Sequence, residues 1–239
     1  MIVIAEPYAR YTETLPDSEL ESAAGRLLQL ADGACRDYFA QRYEQLGITV
    51  VARVEIGSTR IWTTIKAVTT ALMLYGSLRQ SADYLAKDGD WLSRLILPNV
   101  ASTIGLQSNR PKRQERRLGV PGELRRLFAL VERGDMSAEE ATSRAVHLLQ
   151  ATGDTDTASE LPRLTQRLTA EFAETARQRG TQLTLDEGSR YRDQASDEKQ
   201  PQPPQRPEIA PPPTRPARRR RGVIATRDSR TGHISLRTY

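Results

Sequence analysis

Asp83, Asp88 and Asp90 form the one local carboxylate cluster in this chain of 239 residues. Carboxylates so close in sequence can hold a divalent cation or carry out general acid–base work. These three follow a long apolar stretch, where the solvated end of a helix explains them more simply. Other reactive side chains are sparse. His147 falls in a predicted helix beside Leu148, and His233 at a predicted turn; neither has a plausible nucleophile near it in sequence. Cys35 stands alone on the apolar face of a predicted helix, where a small packed thiol is expected. A single cysteine also excludes an internal disulfide and a thiolate metal site. No phosphate-cradling glycine loop, dinucleotide fingerprint, zinc-protease helix or nucleophile elbow occurs. The expectation is a protein that is no enzyme and that needs neither cofactor nor metal.

The dense charge is cationic. Arg218, Arg219, Arg220 and Arg221 are consecutive, and residues 201–239 carry nine arginines against Glu208 and Asp228. That tail sums to +7, while residues 1–200 sum to −2, so the net +5 belongs to the tail. An arginine run binds phosphates without reading bases, and the same run attracts anionic lipid. The tail lacks interleaved aromatics for base stacking. A second basic stretch, NRPKRQERR at 109–117, reads as a solvated connector, with 110–117 as a second contact for a nucleic acid.

The elements that must position these groups follow from periodicity. Ile2 to Ala5 is a short apolar run, a buried-strand signal. Pro16 and Asp17 mark the start of a long amphipathic helix with Leu20, Ala24, Leu27, Leu28, Ala31, Cys35, Tyr38, Phe39 and Leu46 on one face, capped at Gly47. ITVVARVEI then alternates as a strand. These two strands are expected to lie parallel with a right-handed crossover, the missing strands coming from elsewhere in the chain or from another subunit. Trp91, Leu92, Leu95, Ile96 and Leu97 give a short apolar turn ended by Pro98. Two short helices follow, one opened by Pro121 and closed at Gly134, the next capped by Ser137 with Glu140. A last helix spans 158–179. The proline-rich segment 181–221 reads as a disordered linker, and 222–239 as a β-hairpin around Asp228 to Gly232.

The fold class is thus α+β and helix-rich. A β-α-β-α unit (1–106) leads through a basic connector (107–120) to a helical hairpin plus helix (121–180), the linker (181–221) and the C-terminal hairpin (222–239).

Residues 59–79 hold the chain's most ambiguous segment. At 100° per residue, Ile61, Ile65, Val68, Leu72 and Tyr75 form an apolar stripe beside Trp62, with threonines and Lys66 around the rest. A helix here is expected either to cover the sheet, to meet a partner, or to enter a membrane. Eighteen residues span about 27 Å, just short of a hydrocarbon core of about 30 Å. Lys66 near its middle costs on the order of 2.5–3.5 kcal/mol on insertion scales.

Within ELRRLFALVERGDMSAEEATSRAVHLL, the residues Leu124, Leu127, Leu130, Gly134, Ser137, Glu139, Glu140, Leu148 and Leu149 fall in the pattern of the short helical hairpin called SHOCT. The segment resembles that family over 123–150, with Ala141 standing where the family has an aromatic residue. The resemblance implies an oligomerisation or tethering role.

Three functions fit these features. The first is a protein-interaction or oligomerisation module with a basic tail. The second is a membrane-directed effector of a bacterial defence system using 59–79. The third is a non-specific nucleic-acid binder through the arginine tail. The short apolar run at the N-terminus does not make a secretory signal, and a cytoplasmic setting, peripheral to the inner membrane face at most, is expected.

Overall fold

Alternation, not helical periodicity, decides the centre of the molecule. In the computed structural model, which describes residues 1–55, 58–108, 110–152, 155–187, 221–227 and 234–239, the segment Arg60–Ala67 is a β-strand. Ile61, Thr63, Ile65 and Ala67 are buried on one face, and Arg60, Trp62, Thr64 and Lys66 stand half-buried on the other. The expected helix over 59–79 does not exist. Ile, Trp and Thr are β-branched or aromatic and fit a pleated surface, and a two-residue period took precedence over an equally legible helical stripe. Thr69–Met73 then form a tight 3-10 turn, and the next α-helix begins only at Leu78.

This strand, β3, organises the sheet. It pairs antiparallel with β1 (Ile2–Arg10) on one side and β2 (Thr49–Glu55) on the other. The edge next to β1 is β4 (Arg113–Arg117), and β2 is extended by β5 (Gly222–Arg227) and β6 (Ile234–Thr238). The order is β4-β1-β3-β2-β5-β6. β1 and β2 therefore run the same way but are separated by β3; the expected direct parallel pair is absent. Residues 113–117, expected as solvated connector, supply an edge strand. The C-terminal hairpin docks on the sheet through β5, so the missing strands come from this chain.

Helices cover one face. They are α1 (Leu20–Phe39), a short α2 (Arg42–Gln45), α3 (Leu78–Ile96) and a short α4 (Val100–Ile104). The long helix expected to reach Leu46 breaks at Ala40, whose φ is 44°, and Gly47 takes a left-handed φ of 52° after α2. α1 lies over β2 and β5, and α3 over β1. Trp91 to Ile96, expected as a separate turn, is the last part of α3. Gly89 lets α3 approach the sheet closely: a Cβ there would stand 2.6 Å from the Ile4 carbonyl oxygen.

The remaining helices are α5 (Gly119–Arg133), α6 (Ala138–Gln150) and α7 (Thr155–Glu187). The last runs past the expected end at 179, into residues assigned to the linker. Gly134 ends α5 at a φ of 76°, and Ser137 Oγ accepts from the Glu140 amide at 3.1 Å to start α6. The hairpin packs on α3 and α7, with Phe128 and Phe172 rings 4.3 Å apart. Glu171 of α7 accepts from the Leu78 and Arg79 amides at 2.7 and 3.0 Å, which satisfies the first turn of α3.

The hairpin β5–β6 is tied to α1 by a charge. Arg227 Nη1 donates to Asp32 Oδ2 at 2.7 Å, and Asp32, only 3% exposed, also accepts from Tyr43 Oη and Arg36 Nε. Such a buried carboxylate is tolerated because several donors meet it.

The helix–sheet approach at Gly89 gives a direct check. Gly89→Ala forces a methyl against backbone and is expected to lower stability by about 1–3 kcal/mol, read from urea unfolding. Gly25→Ala, on α1 with nothing within 4 Å of the added methyl, is expected to leave stability the same or higher.

Candidate functional site

The sheet has a second face, and among the described residues no helix covers it. Outward residues fall in rows across the strands, because opposed residues in antiparallel ladders share a face. One row runs Glu115–Tyr8–Trp62–Arg53–Ile224–Arg237 from β4 to β6. The row beside it runs Arg113–Arg10–Arg60–Glu55–Gly222, with Tyr239 bonded to Gly222 just past β6. The face thus presents Arg10, Arg53, Arg60, Lys66, Arg113, Arg117 and Arg237 against the carboxylates of Glu6, Glu55 and Glu115.

In the first row rings and guanidinium groups stack. Arg117 lies 5.4 Å from the Tyr8 centroid, Tyr8 and Trp62 rings are 5.1 Å apart, and Arg53 is 5.0 Å from Trp62 and 4.6 Å from Tyr239. The ladder reaches from β4 to the end of β6 without a gap. Its carboxylates serve it: Arg117 bonds Glu6 and Glu115, and Arg53 bonds Glu55. Tyr239 Oη donates to Glu55 at 2.7 Å and also meets Arg53 Nε. Burial, then the bond to Glu55, push the Tyr239 hydroxyl up to about 12. Hydrogen bonding from Arg117 holds the Glu115 carboxyl below its ordinary range.

The second row is electrostatically costly. Arg113, Arg10 and Arg60 stand directly opposite one another on three adjacent strands, where like charges destabilise a sheet. Arg113 is relieved by Glu115. Among the described residues, no carboxylate forms an ion pair with Arg10 or Arg60. Arg10 Nε donates only to the Ser58 hydroxyl at 3.1 Å, and Arg60 Nε is buried without a partner.

The residues singled out from sequence scatter. Ile61, Ile65 and Leu72 are fully buried in the core. Val68 and Tyr75 are half-buried, Tyr75 Oη accepting from Arg42 at 2.7 Å, and of the six only Trp62 belongs to the open face. Arg221 is exposed and lies 3.6 Å from Asp17. Arg218, Arg219 and Arg220, like His233 and the Asp228–Gly232 turn, lie outside the described residues. Asp83 pairs with Arg125, Asp90 with Arg94 and Arg116, and Asp88 sits buried beneath Tyr38, so the three aspartates do not converge. No group of acidic, histidine or cysteine side chains suited to a metal occurs among the described residues. Cys35 is fully buried, and burial pushes its thiol far up.

Arg113 and Arg117 fall in the basic stretch expected as a second contact for a nucleic acid; sequence reading missed Tyr8, Arg10, Arg53 and Arg60. Only the alternation of ITVVARVEI pointed at one of them, since it set Arg53 opposite the apolar face. No helix among the described residues is long and apolar enough to cross a membrane. No family model, no curated protein and no solved structure matches this chain.

Asp88 supplies a pH test. Tyr38 Oη donates to Oδ1 at 2.6 Å, but Oδ2 is buried without a partner, and burial raises the pKa despite Tyr38 and the nearby Arg42. The folded state therefore holds this proton more tightly than the unfolded chain does. The group favours folding most in acid, and that stability is lost as pH rises through the folded pKa. Asp88→Asn is expected to melt above wild type at neutral pH, with the gap closing below about pH 4, followed by circular dichroism melts.

Proposed function

We propose that this protein is a non-catalytic binding module that holds single-stranded nucleic acid across the open face of its sheet. The observation that carries the reading is the Arg113–Arg10–Arg60 row. Three directly opposed arginines, of which Arg10 has no carboxylate in an ion pair and Arg60 faces Glu55 on β2 without pairing to it, weaken the sheet unless an anion joins them. Guanidinium groups fork onto phosphate oxygens.

The neighbouring ladder supports a strand rather than a lone phosphate. Its planes are half-exposed Trp62 and the guanidinium faces of Arg53 and Arg117, and bases stack on aromatic rings and on arginine planes alike. Tyr8, 6% exposed, backs the ladder from beneath instead of offering a free ring. The two rows lie side by side across the same strands, so phosphates would follow the arginines while bases turn toward the ladder. Binding of this kind tolerates any sequence and weakens steeply with salt.

Fluorescence anisotropy with a labelled oligo-dT tests the reading. Wild type is expected to bind in low salt, and the double variant Arg10→Glu/Arg60→Glu to bind at least about tenfold more weakly. The slope of log affinity against log salt should shallow by about 0.7 for each phosphate no longer neutralised. Wild type that fails to bind in low salt would sink the proposal. A second measurement separates binding from folding. Arg10→Thr removes a like-charge opposition and is expected to stabilise the fold by roughly 0.2–1 kcal/mol while binding weakens. A structural arginine would give the opposite sign in the melt.

A further inference from the structure

The two edges of the sheet are built differently. β4 reads RQERR, and its charged side chains, three exposed arginines and half-buried Glu115, directed to both faces, defend that edge against another strand. β6 reads ISLRT, with one charge, no proline and no bulge. Its backbone groups alternate in direction. Gly222 and Tyr239 exchange both backbone bonds, at 3.1 and 3.0 Å. By alternation, Arg237 and Ser235 also turn their backbone groups to β5. The N–H and C=O of Ile234, Leu236 and Thr238 therefore point away from the sheet. The side chains of those same residues lie on the helix side, but α1 sits over β2 and β5 and stops short of β6. Ile234 is left 44% exposed and Leu236 49%.

We propose that a second copy of this chain pairs on this edge, β6 against β6, about a two-fold axis at Leu236. The strand is complementary to itself in that register. Leu236 meets its own copy as a hydrogen-bonded pair, and Ile234 meets Thr238 on each side, so every outward N–H and C=O of β6 in both copies is satisfied. On the helix side Leu236 packs against Leu236, with Ile234 beside Thr238, covering the apolar surface that α1 leaves bare. On the open side Arg237 falls opposite Ser235, and no like charges face each other. A shift of two residues one way sets Arg237 opposite its own copy; the other way it sets Thr238 opposite position 232, beyond β6. The axis stands perpendicular to the sheet, so both open faces lie on the same side and the six-stranded sheet is doubled. The pairing stands independently of what that face binds, and under the nucleic-acid reading it lengthens the track for one strand.

Sedimentation velocity of the full chain, from micromolar to submillimolar, tests this. Wild type is expected to show a concentration-dependent dimer. Leu236→Pro removes an outward N–H and no bond to β5, and is expected to stay monomeric over the same range with an unchanged circular dichroism spectrum. As a check that does not depend on tolerating proline, Leu236→Cys is expected to oxidise to a covalent dimer, since Cα atoms of a hydrogen-bonded pair stand about 5.5 Å apart, within disulfide reach. Leu74→Cys, equally exposed on the helical side, is expected not to do so; Cys35, fully buried, does not compete. A wild type monomeric throughout, or a dimer untouched by Leu236→Pro, would overturn the proposal. Arg10→Glu/Arg60→Glu should leave the dimer intact, so failure of the nucleic-acid reading and failure of this one are told apart.

Discussion

Everything else in the molecule answers to the pairing of β3 with both β1 and β2. Because a strand turns alternate residues to opposite sides, one eight-residue segment has to meet two requirements at once. Ile61, Thr63, Ile65 and Ala67 close the core under α1 and α3, while Arg60, Trp62, Thr64 and Lys66 form the middle of the open face. A slip of one residue would send the isoleucines to solvent and the arginine into the core, so burial fixes the register. With the register fixed, Trp62 must lie between Tyr8 and Arg53, and Arg60 between Arg10 and Glu55. The site is therefore a consequence of how the core is packed.

That coupling explains where strain is accepted. The helical side is conventional: apolar residues, close approach at Gly89, and a carboxylate at Asp32 surrounded by donors. Buried polar atoms without partners occur on both sides, Asp88 Oδ2 and Arg227 Nε toward the helices and Arg60 Nε toward the open face, but only the open side holds directly opposed arginines. Opposed like charges are not needed to hold the sheet, since threonine or valine would pair better across those strands. Their presence on one face, beside a stack of rings and guanidinium planes, is the reason for reading that face as a surface for an anionic strand. The C-terminal hairpin joins both sides, with Arg227 anchored to α1 and Tyr239 closing the ladder over Arg53.

The helical hairpin α5–α6 borders that face at one corner, where Glu6 and Arg117 share a cleft with Gly119, Glu123 and Leu148, and the long α7 packs behind it. Through Phe128, Phe172 and the Glu171 cap they hold α3, and α3 holds β1. The short hairpin that resembles SHOCT keeps its spaced leucines turned partly inward: Leu124, Leu127 and Leu149 are buried, and Leu130 and Leu148 half-buried. Ala141, at the position where that family has an aromatic, is fully buried.

Much of the fold was legible in local pattern. The α1 face, the ITVVARVEI strand, the Gly134 and Ser137 boundaries and the strand character of the C-terminus all follow from periodicity and from backbone preferences of single residues. These are short-range effects, and the residues that produce them are neighbours in sequence. The helix expected over 59–79 failed for a physical reason: Ile61, Ile65, Val68 and Leu72 satisfy a helical stripe, yet Ile61, Thr63, Ile65 and Ala67 satisfy a strand as well. Locally the two are near equal. What decided between them were β1 and β2, both needing a partner in the space between, and that need is not written in residues 59–79. The basic stretch at 113–117 is the same case, since RQERR becomes a strand only where β1 offers an edge. Trp62 was expected on a helix, and Arg113 and Arg117 in a basic connector; the rest of the site went unseen because Tyr8, Arg10, Arg53 and Arg60 meet only once β1, β2 and β3 lie side by side. Local pattern alone sets most of the elements, the charge partition and the lack of a familiar catalytic motif. Which arginines face one another is a tertiary outcome, because cross-strand register is set by packing on the opposite face and leaves no local trace.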